Sequence, residues 1–137
     1  MKNSQENTHK AIYLKNYKPP VFYIPKIELS FDIDAEDTLV YAKLECVRNE
    51  DAEREDKLIL NGENIELKKL IIDGIECIKE NYSLDDESLT LSLTGDKHIV
   101  EIETLIHPAS NKSLEGVYQS DDIICTQMEP QGFRKVT

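Results

Sequence analysis

Apolar side chains in this chain recur at every second residue, and a helical spacing of three and four is hard to find. Ile27, Leu29, Phe31 and Ile33 share one side of an extended chain, while Glu28, Ser30 and Asp32 take the other. After the break Asp34-Ala35-Glu36-Asp37 the alternation resumes, with Val40, Ala42, Leu44 and Cys46 opposed to Tyr41, Lys43 and Glu45. Two such runs around a short polar break predict a hairpin. Leu89, Leu91 and Leu93 alternate with Thr90 and Ser92, and Val100, Ile102 and Ile106 stand around Glu101 and Glu103. Turn residues separate the runs: Asn61-Gly62, Gly95-Asp96, and Asp73-Gly74, a pair suited to the positive φ angles of a two-residue hairpin. Short strands at this spacing predict an all-β fold, an antiparallel or mixed β-sandwich.

Length and composition agree with one such domain. The 137 residues are 39% apolar and 31% charged, enough core formers to fold. No internal repeat or linker divides them. A polar tail over residues 1–16 precedes a β domain over 17–137, entered through Tyr17-Lys18-Pro19-Pro20, which the prolines hold extended. The block from Arg48 to Lys57 has Ala52 as its only apolar residue, so it cannot bury a face and is expected to be loop.

Charge excludes one class of partner. Sixteen Lys and Arg against 27 Asp and Glu leave a net charge of −11. Binding to phosphate backbones needs clustered cations, and Lys10, Lys15 and Lys18 are too few and too diluted, so no nucleic-acid partner is expected. No apolar run approaches the roughly 20 residues of a membrane-spanning helix. Met1 to Lys10 is polar throughout and unlike a signal peptide. Cys46, Cys77 and Cys125 are odd in number and widely spaced, which is no disulfide framework. A cytoplasmic protein with three packed thiols is expected.

Most candidate constellations fail on spacing. Counted from Asp32, a calcium hand would need glycine where Asp37 stands and glutamate where Lys43 stands. No Cys-x-x-Cys or His-x-x-x-His exists to hold zinc, and the glycines form no phosphate cradle. A cysteine nucleophile would have to pair Cys125 with His107, and nothing marks either as activated. The two Asn-x-Ser triplets, at Asn81 and Asn111, matter only in a secreted protein.

The last quarter differs in texture. If Ile124 to Glu129 is a strand, Gln127 and Glu129 project on one face and Met128 on the other. Pro130 lacks an N–H and ends the ladder or places it at an edge. A carboxylate and an amide side by side make an acceptor pair for a cation such as a primary ammonium. The alternative is an ordinary polar strand face.

The stretch from Asn111 to Arg134, above all Leu114-Glu115-Gly116-Val117-Tyr118-Gln119-Ser120 and Thr126-Gln127-Met128-Glu129-Pro130-Gln131-Gly132-Phe133-Arg134, closely resembles the N-terminal domain of the M1 zinc aminopeptidases. The resemblance continues upstream, weaker in motif but in order, through Tyr17-Lys18-Pro19-Pro20, Ile27 to Asp32, and Leu60-Asn61-Gly62-Glu63. It covers the chain from about Tyr13 onward. Met128 is a departure, since bacterial members often carry cysteine there. The resemblance implies a saddle-shaped β domain that covers a zinc-bearing catalytic domain. It also implies substrate-binding roles for two residues: Glu129 for the free α-ammonium of a peptide, and Gln127 as a wall of the pocket. The family's zinc motif, His-Glu-x-x-His, and its Gly-x-Met-Glu-Asn segment do not occur in these residues. The resemblance therefore implies an N-terminal fragment of a longer enzyme, with no metal bound by its own residues and no catalysis alone. Its partners would be the catalytic domain and peptides. Missing last strands would expose a sheet edge, and self-association there is expected. The rival is a freestanding acidic β-sandwich that docks a partner protein.

Overall fold

The structure, a computed structural model, describes residues 11–129 and 131–137. The reading of Met1 to Lys10 as no signal peptide, and of Pro130 as a ladder end, falls outside them. Ten strands carry the fold: β1 (Phe22–Asp32), β2 (Thr38–Arg48), β3 (Lys57–Asn61), β4 (Glu66–Ile72), β5 (Ile75–Glu76), β6 (Tyr82–Leu84), β7 (Ser88–Ser92), β8 (Lys97–Ile106), β9 (Gly116–Ser120) and β10 (Ile123–Gln127). The only helical pieces among the described residues are single 3₁₀ turns. No helix there is long and apolar enough to cross a membrane.

The strands form three sheets, ordered β1-β2-β8-β4-β5, β3-β7-β6 and β10-β9. Every ladder is antiparallel. The predicted alternation is observed. Val40, Ala42, Leu44 and Cys46 of β2 are buried, as are Val100, Ile102 and Ile106 of β8, with Thr104 completing the inner row. The three-stranded sheet lays Leu58, Leu89 and Leu91 across this face, joined by Leu93 and by Leu70 of β4. Each fully buried aliphatic side chain here contributes roughly 1.5–3 kcal/mol. A smaller core of Val40, Ile106, Val117 and Val136 lies beneath the β9–β10 hairpin.

The acidic turns have local causes. The carboxylate of Asp34 accepts the N–H groups of Glu36 (2.9 Å) and Asp37 (3.3 Å), which turns β1 into β2. Asp73 and Gly74 both have positive φ, 51° and 81°, and close the predicted two-residue hairpin with Ile72 opposite Ile75.

The charged block behaves differently at its ends than expected. Its middle is loop, yet Arg48 closes β2 with its side chain only 6% exposed. Its guanidinium donates to the Asp56 (2.9 Å) and Asp96 (3.2 Å) carboxylates and to the carbonyls of Glu55, Leu93 and Gly95, while stacking over Phe22. Asn49, also buried, donates to Pro20 O and Val21 O and so pins the start of the domain. A guanidinium with five donors can be buried where its fork meets enough acceptors, a condition that only the assembled fold supplies.

Candidate functional site

Gln127 and Glu129 stand at the end of the β9–β10 hairpin. The hairpin turns at Asp121 and Asp122 and runs in register from Ser120 opposite Ile123 to Gly116 opposite Gln127. Asn111 ties the approach to β9. Its amide donates to Glu115 O and Val117 O, both at 2.8 Å, and its side-chain oxygen accepts from Ser113 N and Oγ. The triplet at Asn111 thus has a structural use that its sequence did not reveal.

The strand is shorter than predicted. It ends at Gln127, and Glu129 lies in the turn beyond it. The in-and-out alternation nonetheless persists past the ladder. Met128 is half-buried against the small core, while Gln127 and Glu129 on either side of it are exposed. Gly132 accounts for the early end. Its N–H donates to Met128 O at 2.8 Å, so the chain doubles back immediately. A Cβ at this position would sit 2.2 Å from Gln127 O, an approach that only glycine permits.

The returning segment is clamped. Val136 is fully buried, and its carbonyl accepts from Thr104 Oγ1 at 3.3 Å. Lys135 bridges Glu115 (3.0 Å) and Glu63 (3.4 Å), and Glu63 N–H donates to Arg134 O at 2.8 Å. Glu129 joins none of these ion pairs among the described residues. The result is an amide and a carboxylate that flank the half-buried Met128 and are turned to solvent.

They line neither of two cavities in the described residues. One, of about 730 Å³, lies between the sheets against Ile27, Leu44, Leu60, Ile65 and Phe133. The other, of about 550 Å³, is bordered by His107, Lys112, Asn111 and Lys135. Gln127 and Glu129 stand on the exposed surface, outside both cavities.

The other candidates are not brought together. His107 Nδ1 is occupied by Glu36 O (3.0 Å) and Asp37 Oδ1 (2.9 Å), whereas the Cys125 thiol lies 3.9 Å from Ile123 O. Burial pushes the Cys46 thiol up to about 11, away from the reactive thiolate. Among the described residues no three His, Cys, Asp or Glu side chains converge as a metal ion would require.

This three-sheet arrangement is shared with solved structures. The described fold superposes on the aminopeptidase A of Legionella pneumophila, solved with aspartic acid, with a TM-score of 0.80 at 23% identity. That match covers 89% of this chain and 14% of the other. The M1 zinc metallopeptidase of Deinococcus radiodurans, solved as a mutant with a Tyr-Ser-Ala substrate, matches with a TM-score of 0.67 at 12% identity over 85% of this chain and 28% of its own. No protein-family model matches the chain. In sequence it is 37% identical over 131 residues to aminopeptidase N of Caulobacter vibrioides, across 96% of its own length. Over nearly all of its length the chain is thus similar in sequence to a part of aminopeptidase N, and its fold is that of a β domain found in M1 metallopeptidases. It spans about 15% of the length of that relative.

Proposed function

We propose that this β domain serves a cytoplasmic zinc aminopeptidase that removes N-terminal residues from peptides. In this reading Glu129 accepts hydrogen bonds from the free α-ammonium of the peptide, and Gln127 lines the pocket around the first residues. The observation that carries it is the clamped turn after β10, which holds both side chains outward on either side of the inward Met128. An exopeptidase must tell a terminal ammonium from an internal amide. A carboxylate enclosed at a domain interface does so, because an internal peptide would leave it unpaired at a cost of several kcal/mol. The likeness to a metallopeptidase solved with a tripeptide supports the substrate class. In the same reading the zinc and the hydrolytic step belong to a separate catalytic domain of the longer enzyme, the partner whose surface would enclose Gln127 and Glu129.

The test is kinetic. In the full-length enzyme, Glu129→Gln should lower kcat/KM for peptides at least tenfold, about 1.4 kcal/mol of transition-state stabilisation, with zinc content unchanged. Unaltered kinetics would remove Glu129 from the site. A second reading, a freestanding acidic module that docks through a sheet edge, is favoured by the open side of β1. The coding sequence beyond Thr137 separates the two. Continuation into Gly-x-Met-Glu-Asn and His-Glu-x-x-His supports the enzyme, and a stop codon supports the module.

A further inference from the structure

Lys135 belongs to the 3₁₀ turn Gly132–Lys135 that follows the β9–β10 hairpin, and its side chain is only 10% exposed. A lysine so far withdrawn from water needs partners, and it has two. Its ammonium stands 3.0 Å from Glu115 Oε2, on the approach to β9, and 3.4 Å from Glu63 Oε1, in the connection from β3 to β4. One cation therefore joins three segments far apart in the chain. The backbone repeats the connection, since the Glu63 N–H donates to Arg134 O at 2.8 Å. Gly116 is packed from the same side: a Cβ there would lie 2.9 Å from Lys135 Cβ and 3.4 Å from Gly132 O. Gly116 is the ladder partner of Gln127, and the Gly132 N–H donates to Met128 O. The stem of Lys135 thus presses on the strand end that presents Gln127 and leads into Glu129.

We propose that Lys135 is a positioning residue for Gln127 and Glu129, setting where their side chains stand without itself touching a peptide. The inference rests on the reading of Glu129 as the acceptor of the peptide's α-ammonium. Glu129 lies beyond the last ladder pair, Gln127 with Gly116, so its place follows from the turn and from what holds the returning chain. Two anchors hold that chain. Val136 is the apolar one, buried in the small core with its carbonyl on Thr104 Oγ1. Apolar burial is non-directional, whereas an ammonium between two carboxylates has a defined place. Without that ammonium Glu63 and Glu115 would be left as neighbouring like charges, with only Arg134 Nε, 3.3 Å from Glu63, to offset one of them. The β3–β4 connection and the entry to β9 would then part, and the turn between them would shift. A misplacement of about 1 Å in a reacting site can slow it about 100-fold, so a small shift of Glu129 is enough to register.

A double-mutant cycle in the full-length enzyme tests it. Lys135→Met keeps most of the stem and removes the charge. It should lower kcat/KM for peptides about three- to tenfold, with zinc content and circular dichroism unchanged. In the Glu129→Gln background the same substitution should have no further effect, because displacing an acceptor matters only while it accepts. A loss that persists undiminished beside Glu129→Gln is a general effect on the fold and overturns the proposal. So does wild-type kinetics in Lys135→Met when Glu129→Gln is impaired, a result that leaves the reading of Glu129 intact. If Glu129→Gln is itself without effect, that reading falls and the proposal falls with it. Should Lys135→Met fail to fold, the isosteric Glu115→Gln takes its place in the cycle and is judged by the same outcomes.

Discussion

β1 and β2 lie side by side in the same sheet, and their inner stripes meet opposite fates. Leu29 stands opposite Ala42 and Phe31 opposite Val40, so the residues share a face and a ladder. Val40 and Ala42 are essentially inaccessible, while Phe31 and Ile27 keep two-fifths of their surface exposed. The core under the three-stranded sheet and the β9–β10 hairpin centres on β2, β8 and β4, whereas Leu29 of β1 is only partly buried against it and Ile27 lines the cavity between the sheets. Alternation assigns a side chain to a face. Whether anything comes down on that face is a separate matter, settled by elements distant in the chain.

The sharpest way to break this comparison is truncation on each side of it. Leu91→Ala, in the covered half, should cost about 2–5 kcal/mol in urea unfolding. Phe31→Ala, measured at a concentration where the chain is monomeric, should cost roughly 1 kcal/mol or less. Equal losses would mean that β1 is packed after all.

Arg48→Met comes next. It keeps the packing on Phe22 but leaves the Leu93 and Gly95 carbonyls without their donor, which should cost about 1–3 kcal/mol by the same measurement. A neutral result would show those carbonyls reaching water. Gly132→Ala forces a methyl group into the Gln127 carbonyl and should cost about 1–3 kcal/mol. Its more telling sign is local, namely faster amide exchange in β9 and β10 than in β2 and β8.

The smallest effect is on the acid side. Burial opposes ionisation of Asp73, but the Ile99 N–H and the His98 ring outweigh it and hold its carboxyl below the usual range. A folded-state pKa below the unfolded value of about 3.9 adds stability that is complete above that pH and is lost as pH falls through the folded value. The advantage of the wild-type chain over Asp73→Asn should therefore shrink when acid unfolding is followed from neutral pH to below about 4. A constant difference would count against the carboxylate.

Much of the fold was legible because strand faces and turns are local properties. Asp73-Gly74 specified its own hairpin, and the even-numbered residues of β2 faced inward as their spacing required. Tyr82–Leu84 was not legible as a strand, since three residues carry too little pattern. The exposure of Gln127 and Glu129 on either side of Met128 was legible in the alternation, but the length of their strand was not. Glu129 lies past the ladder because Gly132 folds back onto Gln127 O, a contact between backbones that no side-chain pattern announces.

By itself the sequence determined an acidic, all-β chain, the inward face of its main strands, and the two polar side chains flanking Met128. These follow from period-two geometry and from the chemistry of neighbouring residues. The tertiary structure alone decided that Arg48 is buried, that the segment after Gly132 clamps the hairpin, and that Ile27 and Phe31 of β1 stay two-fifths exposed. Each of those depends on which acceptors, backbones or strands arrive from far along the chain, and such arrivals leave no local trace in the residues they meet.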